Sequence, residues 1–202
     1  MSGKLARDRT TLVVVDVQEG FRQAIPDFTR VAKATATLVE GAGVIGVPVV
    51  ITEQYPKGLG ETVAEVAERL PAGTEPLEKV VFSASEAEGF DLAGRDQALV
   101  CGIETHVCVN QTAHDLLEAG IDVQVAQDAV GSRTEENKRV GLEKMVRAGA
   151  VLTSVETALF ELLGRAGTDE FKRIQRLILE YAPNEEQMRG SPAGKAEGEP
   201  VS

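Results

Sequence analysis

The chain has 202 residues, 43% of them hydrophobic, and its formal net charge at pH 7 is −11. This length fits one large or two small domains. The negative charge, without any run of Lys or Arg, excludes nucleic acid as a general partner, because phosphate backbones are bound by clustered basic side chains. No stretch reaches the roughly 18 apolar residues of a membrane span, and the first residues lack the apolar segment of a signal peptide. We therefore expect neither a membrane partner nor secretion.

Short β-branched runs alternate with longer amphipathic stretches, which predicts strands alternating with helices. In chain order, the pattern predicts strand 11–16, helix 28–42, strand 48–52, helix 61–70, strand 80–82, strand 98–102, helix 108–119, strand 121–126, helix 135–148, strand 150–153, and helices 156–163 and 169–181. This order predicts an α/β fold with a mainly parallel six-stranded sheet that is covered by helices on both faces. The domain spans 1–182, and the Glu-, Gly-, Pro- and Ser-rich residues 183–202 are expected to form a mobile tail.

One glycine-rich segment, GAGVIG at 41–46, matches the dinucleotide-binding pattern G-x-G-x-x-G. A dinucleotide site needs this pattern after a strand and at the start of a helix. Here the segment follows a predicted helix and precedes a strand, so we interpret it as a helix C-cap and a turn. With only His106 and His114 in the chain, a zinc site held by protein ligands is not expected either.

The two cysteines differ in their predicted surroundings. Cys101 lies inside an apolar strand and is expected to be an inert buried thiol. Cys108 follows the same strand at the first turn of a helix, where the helix dipole lowers the pKa of a thiol. Asp16 closes the first strand and is either a surface residue or a site residue, because ligands of open α/β sheets lie beyond the strands' carboxyl ends. Neither cysteine suits a disulfide framework, so we expect a reducing cytoplasm.

Three segments resemble the signature blocks of the isochorismatase-like cysteine hydrolases. They are VVVDVQEGF at 13–21, EKVVFSAS at 78–85 and VCGIETHVCV at 100–109. The blocks occur in the order found in that family, each at a predicted strand end. The resemblance covers about residues 10–180, which is nearly the whole predicted domain.

Three further segments are most similar to the isochorismatase-domain-containing proteins within that superfamily. They are TEQYPKGLG at 52–60, DAVGSR at 128–133 and FKRIQRLI at 171–178. The resemblance implies a single three-layer αβα domain of isochorismatase-like, Rossmann-like topology.

The resemblance also implies a catalytic triad. Matched block by block, the triad consists of Asp16, Lys79 and Cys108; taken alone, Lys79 would be interpreted as a solvated lysine. The family carries a non-proline cis peptide after the glycine of the fourth strand, here between Ile103 and Glu104. The backbone N–H groups of Glu104 and Cys108 would then form an oxyanion hole.

The same blocks imply where a small-molecule substrate lies. Residues of the first block and of the turn after the second strand would line the pocket: Gln18, Phe21, Gln54 and Tyr55, with Glu53 as a further candidate. Nicotinamidases of this superfamily place histidines after the second strand to hold a metal, and this chain has none there. We therefore expect neither a catalytic metal nor another cofactor.

The implied activity is that of a metal-independent hydrolase that cleaves a C–N bond of a small amide-type molecule. Two alternatives stay open: a vinyl-ether hydrolase acting on isochorismate, which works without a cysteine nucleophile, and a non-catalytic binding or scaffold protein. The family also implies a homo-oligomer. The amphipathic helix 169–181 is a candidate interface, although packing on its own domain explains the same pattern.

Overall fold

A computed structural model describes residues 3–181, and the predicted tail at 183–202 lies outside the described residues. Every neighbouring pair of strands in the sheet is parallel, in the order β3-β2-β1-β4-β5-β6. The strands are β1 Thr10–Val15, β2 Val49–Gln54, β3 Leu77–Lys79, β4 Gln97–Ile103, β5 Asp122–Gly131 and β6 Val151–Thr153.

Helices cover both faces of this sheet. They are α1 Phe28–Ile45, α2 Pro56–Leu59, α3 Ala64–Ala67, α4 Asn110–Glu118, α5 Glu135–Ala148, α6 Val155–Leu163 and α7 Asp169–Tyr181. A π-helical turn, Thr105–Val109, leads from β4 into α4. Within residues 3–181, no helix combines the length and the apolar character needed to cross a bilayer.

The central strand β1 separates two apolar clusters. Leu12 and Val14 belong to a cluster with α1, α6 and α7, whereas Val13 and Val15 pack with α4 and α5 on the other face. This alternation follows from the two-residue period of a strand. The predicted α/β domain with a parallel six-stranded sheet and helices on both faces is confirmed.

Two of the sequence interpretations concern single helices. The segment GAGVIG completes α1, and Gly46 caps it in a left-handed conformation with a φ of 79°, which confirms the C-cap interpretation. The apolar side chains of α7, including Ile174, Leu177 and Ile178, are buried in the cluster that contains α1. Helix α7 therefore packs on its own domain.

Two predicted elements are wrong. The strand predicted at 80–82 lies three residues earlier in the structure. It is β3, Leu77–Lys79, which pairs with β2 through Thr52↔Leu77 and Gln54↔Lys79. Val80, Val81 and Phe82 are exposed instead. The run was interpreted as a strand because it is apolar, but the backbone turns after Lys79, and the carbonyl oxygens of Val81 and Phe82 accept hydrogen bonds from that lysine. The helix predicted at 61–70 is only Ala64–Ala67.

The direction of chain winding reverses at β1, which has β2 on one side and β4 on the other. In doubly wound sheets such a reversal opens a crevice beyond the carboxyl ends of the two strands. The residues that follow β1, β3 and β4 therefore meet at one edge of the sheet.

Gly102 allows β1 and β4 to approach each other closely at this crevice. Its φ is +118°, and a Cβ atom there would lie 2.0 Å from the Val15 carbonyl oxygen. We expect Gly102→Ala to lower the free energy of unfolding by about 3 kcal/mol or more, because backbone strain and a clash between strands add. Urea unfolding measures this change.

Gly73→Ala is the matched control, because Gly73 also has a positive φ of +83° but no heavy atom lies within 4 Å of the added Cβ. We expect that change to cost only about 1 kcal/mol. Equal losses in the two variants would contradict the role of the close strand contact.

Candidate active site

Asp16 lies at the centre of the crevice, directly after β1. The residue is fully buried and adopts a left-handed conformation with a φ of 51°, which Asp tolerates better than most residues. One carboxylate oxygen, Oδ1, accepts a hydrogen bond of 2.7 Å from the Thr52 hydroxyl. The other, Oδ2, lies 2.6 Å from the Lys79 ammonium.

Lys79 reaches Asp16 from the edge strand β3, passing over β2. Its side chain and that of Asp16 are both fully buried. Besides Asp16, the ammonium donates to Gln54 Oε1 at 2.8 Å and to the carbonyl oxygens of Phe82 at 3.0 Å and Val81 at 3.3 Å. A buried charge needs such a set of partners, because burial without them costs several kcal/mol. Lys79 is thus held in one place by acceptors from three chain segments.

Cys108 lies in the π-helical turn beyond β4 and is 5% exposed. The pKa of its thiol is raised to about 12, chiefly by burial; the Asp16 charge and the thiol's hydrogen bond to Asp16 act in the same direction, whereas the Lys79 charge and a backbone hydrogen bond from Glu104 oppose the rise. This corrects the expectation of a lowered pKa. The turn encloses Cys108 beside a carboxylate instead of leaving it at an open helix N-terminus.

The turn that carries Cys108 is held in place by contacts with the loop that follows β5. The Ile103–Glu104 peptide is cis, at the position that the resemblance implied. The Glu104 carboxylate accepts hydrogen bonds from the backbone N–H and Nε of Arg133, both at 3.0 Å. His106 Nδ1 lies 3.1 Å from the Ser132 hydroxyl. These contacts tie the turn to the loop that follows β5.

Helix α5 also packs closely against the turn that carries Cys108. A Cβ atom on Gly141 would lie 2.8 Å from the Thr105 carbonyl oxygen and 2.9 Å from the His106 backbone. The helix can therefore approach the turn only because this residue is glycine.

Four residues were predicted to line the substrate pocket, and in the structure their environments differ from one another. Gln18 is fully buried, and its amide is engaged by the Gln54 and Gly60 backbones, an arrangement that positions the turn after β2. Gln54 contacts the Lys79 ammonium and the Val80 carbonyl. Tyr55 is 54% exposed, whereas Phe21 is partly buried and packs against the α1 cluster.

Glu53, the further candidate, is buried away from these groups. Its carboxylate accepts hydrogen bonds from the backbone N–H and the hydroxyl of Thr62, at 2.6 and 2.7 Å. This contact holds the turn at Thr62.

Two threonines that the sequence analysis did not single out connect the site. Thr52 binds Asp16 as described above. Thr112 donates to the Cys108 carbonyl at 2.7 Å and accepts from the Ala84 backbone N–H at 2.8 Å. It thus joins the helix that follows Cys108 to the segment that follows Lys79. In the sequence, Thr52 ends an apolar run and Thr112 lies among other polar residues, and neither pattern is distinctive enough to mark a site.

Cys101, in contrast, lies in the apolar cluster on the other face of the sheet. It is fully buried, and burial raises the pKa of its thiol to about 12. Both cysteines are unpaired. Among residues 3–181, no three His, Cys, Asp or Glu side chains are grouped so that they could hold a metal ion.

Comparison with known proteins decides the family. The isochorismatase domain model matches residues 10–157. The chain belongs to the isochorismatase family. Members of this isochorismatase-like family are hydrolases. The match covers the three segments that carry Asp16, Lys79 and Cys108.

Relatives within the isochorismatase family include the secreted isochorismatase effector Isc1 of Phytophthora sojae, 42% identical over 89% of each chain. Human isochorismatase domain-containing protein 2 is 38% identical over 90% of this chain and 89% of its own, which supports the predicted subgroup.

Solved structures share the isochorismatase-like fold as well. The structure of MAR1 ribonuclease from Caenorhabditis elegans is 35% identical, with a TM-score of 0.84 over 95% of this chain and 99% of its own. The YcaC gene product of Escherichia coli, described as an octameric hydrolase of unknown specificity, has a TM-score of 0.80 at 22% identity, over 94% of this chain and 96% of its own.

We expect Asp16→Asn to speed alkylation of Cys108 by iodoacetamide at pH 8 by at least about tenfold. The variant removes the negative charge that raises the pKa of the thiol and leaves the Lys79 charge that lowers it, so the thiolate fraction increases. Mass spectrometry of the Cys108 peptide measures the rate.

The Cys101 peptide is the internal control, because that thiol is fully buried on the other face of the sheet. A Cys108 rate that is unchanged or slower in a folded Asp16→Asn protein would contradict the electrostatic account.

Proposed function

We propose that this protein is a metal-independent hydrolase that cleaves a C–N bond of a small amide-type molecule, with Cys108 as nucleophile. The observation that carries the proposal is the buried chain of contacts from the Lys79 ammonium through the Asp16 carboxylate to the Cys108 thiol. A carboxylate that is hydrogen-bonded to a thiol can take its proton as the sulfur attacks.

The raised pKa of Cys108 determines how the first step begins. The resting thiol is neutral, so its proton passes to Asp16 while Sγ forms a bond to the substrate carbonyl carbon. Lys79 stays 2.6 Å from Asp16 and keeps the carboxylate oriented. The N–H groups of Glu104 and Cys108 are our candidates for binding the resulting oxyanion, an effect worth about 3 kcal/mol for each donor.

The second half of the reaction regenerates the site. The C–N bond breaks, the amine leaves with the proton from Asp16, and the acyl group stays on Sγ as a thioester. Asp16 then accepts a proton from water as the water oxygen attacks the thioester carbonyl. The C–S bond breaks, the acid is released and the proton returns to the thiol, so that atoms and charges balance.

The enclosure of Cys108, only 5% exposed, supports a small substrate. Gln54 and Tyr55, at the turn beside Lys79, are candidates for contacting it, and Phe21, which packs against the α1 cluster, is a further one. Gln18, with its amide engaged by the backbone, supports that turn.

We also propose a homo-oligomer in the cytoplasm. Two unpaired cysteines support a reducing compartment, although the relative Isc1 is described as secreted.

A screen of amides, carbamates and ureides tests the proposal. We expect Cys108→Ala to lower turnover of an active substrate at least about 10³-fold and to abolish a covalent adduct seen by mass spectrometry. Cys101→Ala is the matched control and should retain activity, because Cys101 lies on the other face of the sheet. Turnover that is unchanged in Cys108→Ala would end the nucleophile proposal.

The same screen separates the alternatives. Isochorismate tests the vinyl-ether reaction, which needs no cysteine nucleophile and would therefore survive Cys108→Ala. RNA tests the activity named for the MAR1 relative; the net charge of −11 disfavours it. No hydrolysis of any substrate would favour the non-catalytic binding or scaffold protein.

Thr112→Val should lower kcat by about tenfold with little change in KM. It removes the hydroxyl that joins the Cys108 carbonyl to the Ala84 backbone, and small displacements of reacting groups are costly. Thr112→Ser should restore most of the rate because it keeps the hydroxyl.

Thr37→Val is the matched control, because the Thr37 hydroxyl makes the same helical bond, to the Lys33 carbonyl, far from the site. If the two valine variants lose the same activity, Thr112 has no special positioning role.

A further inference from the structure

Four large apolar side chains are exposed beside the candidate active site. They form what we call the rim: Tyr55, Val80, Val81 and Phe82. Val80 is 76% exposed and Phe82 is 51% exposed. Val80, Val81 and Phe82 are consecutive, and Tyr55 and Val80 line the same hollow. Exposed apolar side chains grouped in this way mark an interaction site.

The rim faces outward because the site uses the backbone of the same segment. The carbonyl oxygens of Val81 and Phe82 accept from the Lys79 ammonium, and the Val80 carbonyl accepts from Gln54 Nε2. With these carbonyls directed inward, the three side chains point away from the domain. The rim therefore cannot fold back into its own core without releasing Lys79.

A hollow of about 310 Å³ adjoins the rim. It is lined by Tyr55, Pro56, Lys57, Glu78, Lys79 and Val80. Lys57 and Glu78 carry opposite charges, and neither forms an ion pair or side-chain hydrogen bond within residues 3–181. A surface with a projection, a hollow and unpaired charges of both signs is complementary to a copy of itself related by a twofold axis.

The other apolar surfaces are less suitable. Helix α7 buries its apolar face against α1, which leaves Leu179 exposed alone. Val146 and Leu152 form a patch near α5, but the charges beside it, Arg139 and Glu143, already pair with each other.

We propose that the rim is the surface on which a second copy of this chain docks. Val80, Val81 and Phe82 of each copy enter the hollow of the other, and Lys57 of each faces Glu78 of the other. The proposal rests on the homo-oligomer proposed above and names its interface. It does not depend on any catalytic activity, because association is measured without substrate.

Sedimentation equilibrium of the full chain, over a range of concentrations, tests the interface. We expect wild type to form at least a dimer, and Phe82→Glu to raise the dissociation constant at least about thirtyfold, as buried aromatic residues at interfaces do. Leu179→Glu is the matched control: Leu179 is also exposed, but it lies on α7, away from the rim. That control should associate like wild type.

A charge exchange tests the geometry without touching an apolar residue. Lys57→Glu and Glu78→Lys should each weaken association about tenfold, because each places like charges opposite one another. The double variant should restore association, since the opposite charges are then only exchanged.

Three results would overturn the proposal: a monomeric wild type, association unaffected by Phe82→Glu or Val80→Glu, or a double charge variant as weak as either single one. A protein with no detectable hydrolase activity that still shows the expected pattern would support the interface and reject only the catalytic proposal.

Discussion

The fully buried ion pair between Lys79 and Asp16 constrains the rest of the site. Removing two charges from water costs several kcal/mol for each ion, and their attraction offsets this cost only when their remaining hydrogen-bonding groups are also satisfied. The Thr52 hydroxyl, the Gln54 amide and two backbone carbonyls meet that requirement. The segment after β3 is therefore shaped by the needs of the ammonium group and not by its own apolar sequence.

The same pair also acts on the sulfur, together with burial. Burial is the largest cause that raises the pKa of the Cys108 thiol, the Asp16 carboxylate raises it as well, and the Lys79 ammonium partly offsets both effects. In the proposed mechanism, the neutral thiol beside a carboxylate supplies the proton that the leaving group needs, so we assign both the acid and the base role to Asp16. In this arrangement Lys79 orients Asp16 and Thr112 positions the turn, and neither has to exchange a proton.

Particular residues show how far the sequence analysis extends. Asp16 follows a continuous apolar strand and α7 has a regular helical period, so local pattern placed the end of β1 and the helix 169–181, whereas it left open whether Asp16 is a surface or a site residue. Val80–Phe82 was predicted as a strand by the same rule, yet it lies beyond β3 and is exposed, because Lys79 is bound to an acidic residue 63 positions earlier. Cys108 was placed at a helix start, but the pKa of its thiol depends on burial and on the charges of Asp16 and Lys79. Burial is a property of the folded chain, and both charged residues are far from Cys108 in the sequence.

The sequence by itself determined most of the order of strands and helices along the chain and the three blocks that indicate the family, because hydrophobic period and residue type are local properties. Only the tertiary structure decided the direction of the Lys79 side chain, the protonation of Cys108 and the outward face of the rim. These depend on Coulomb interactions and desolvation, which are set by distances between residues that meet only when β1, β3 and β4 end at the same edge of the sheet.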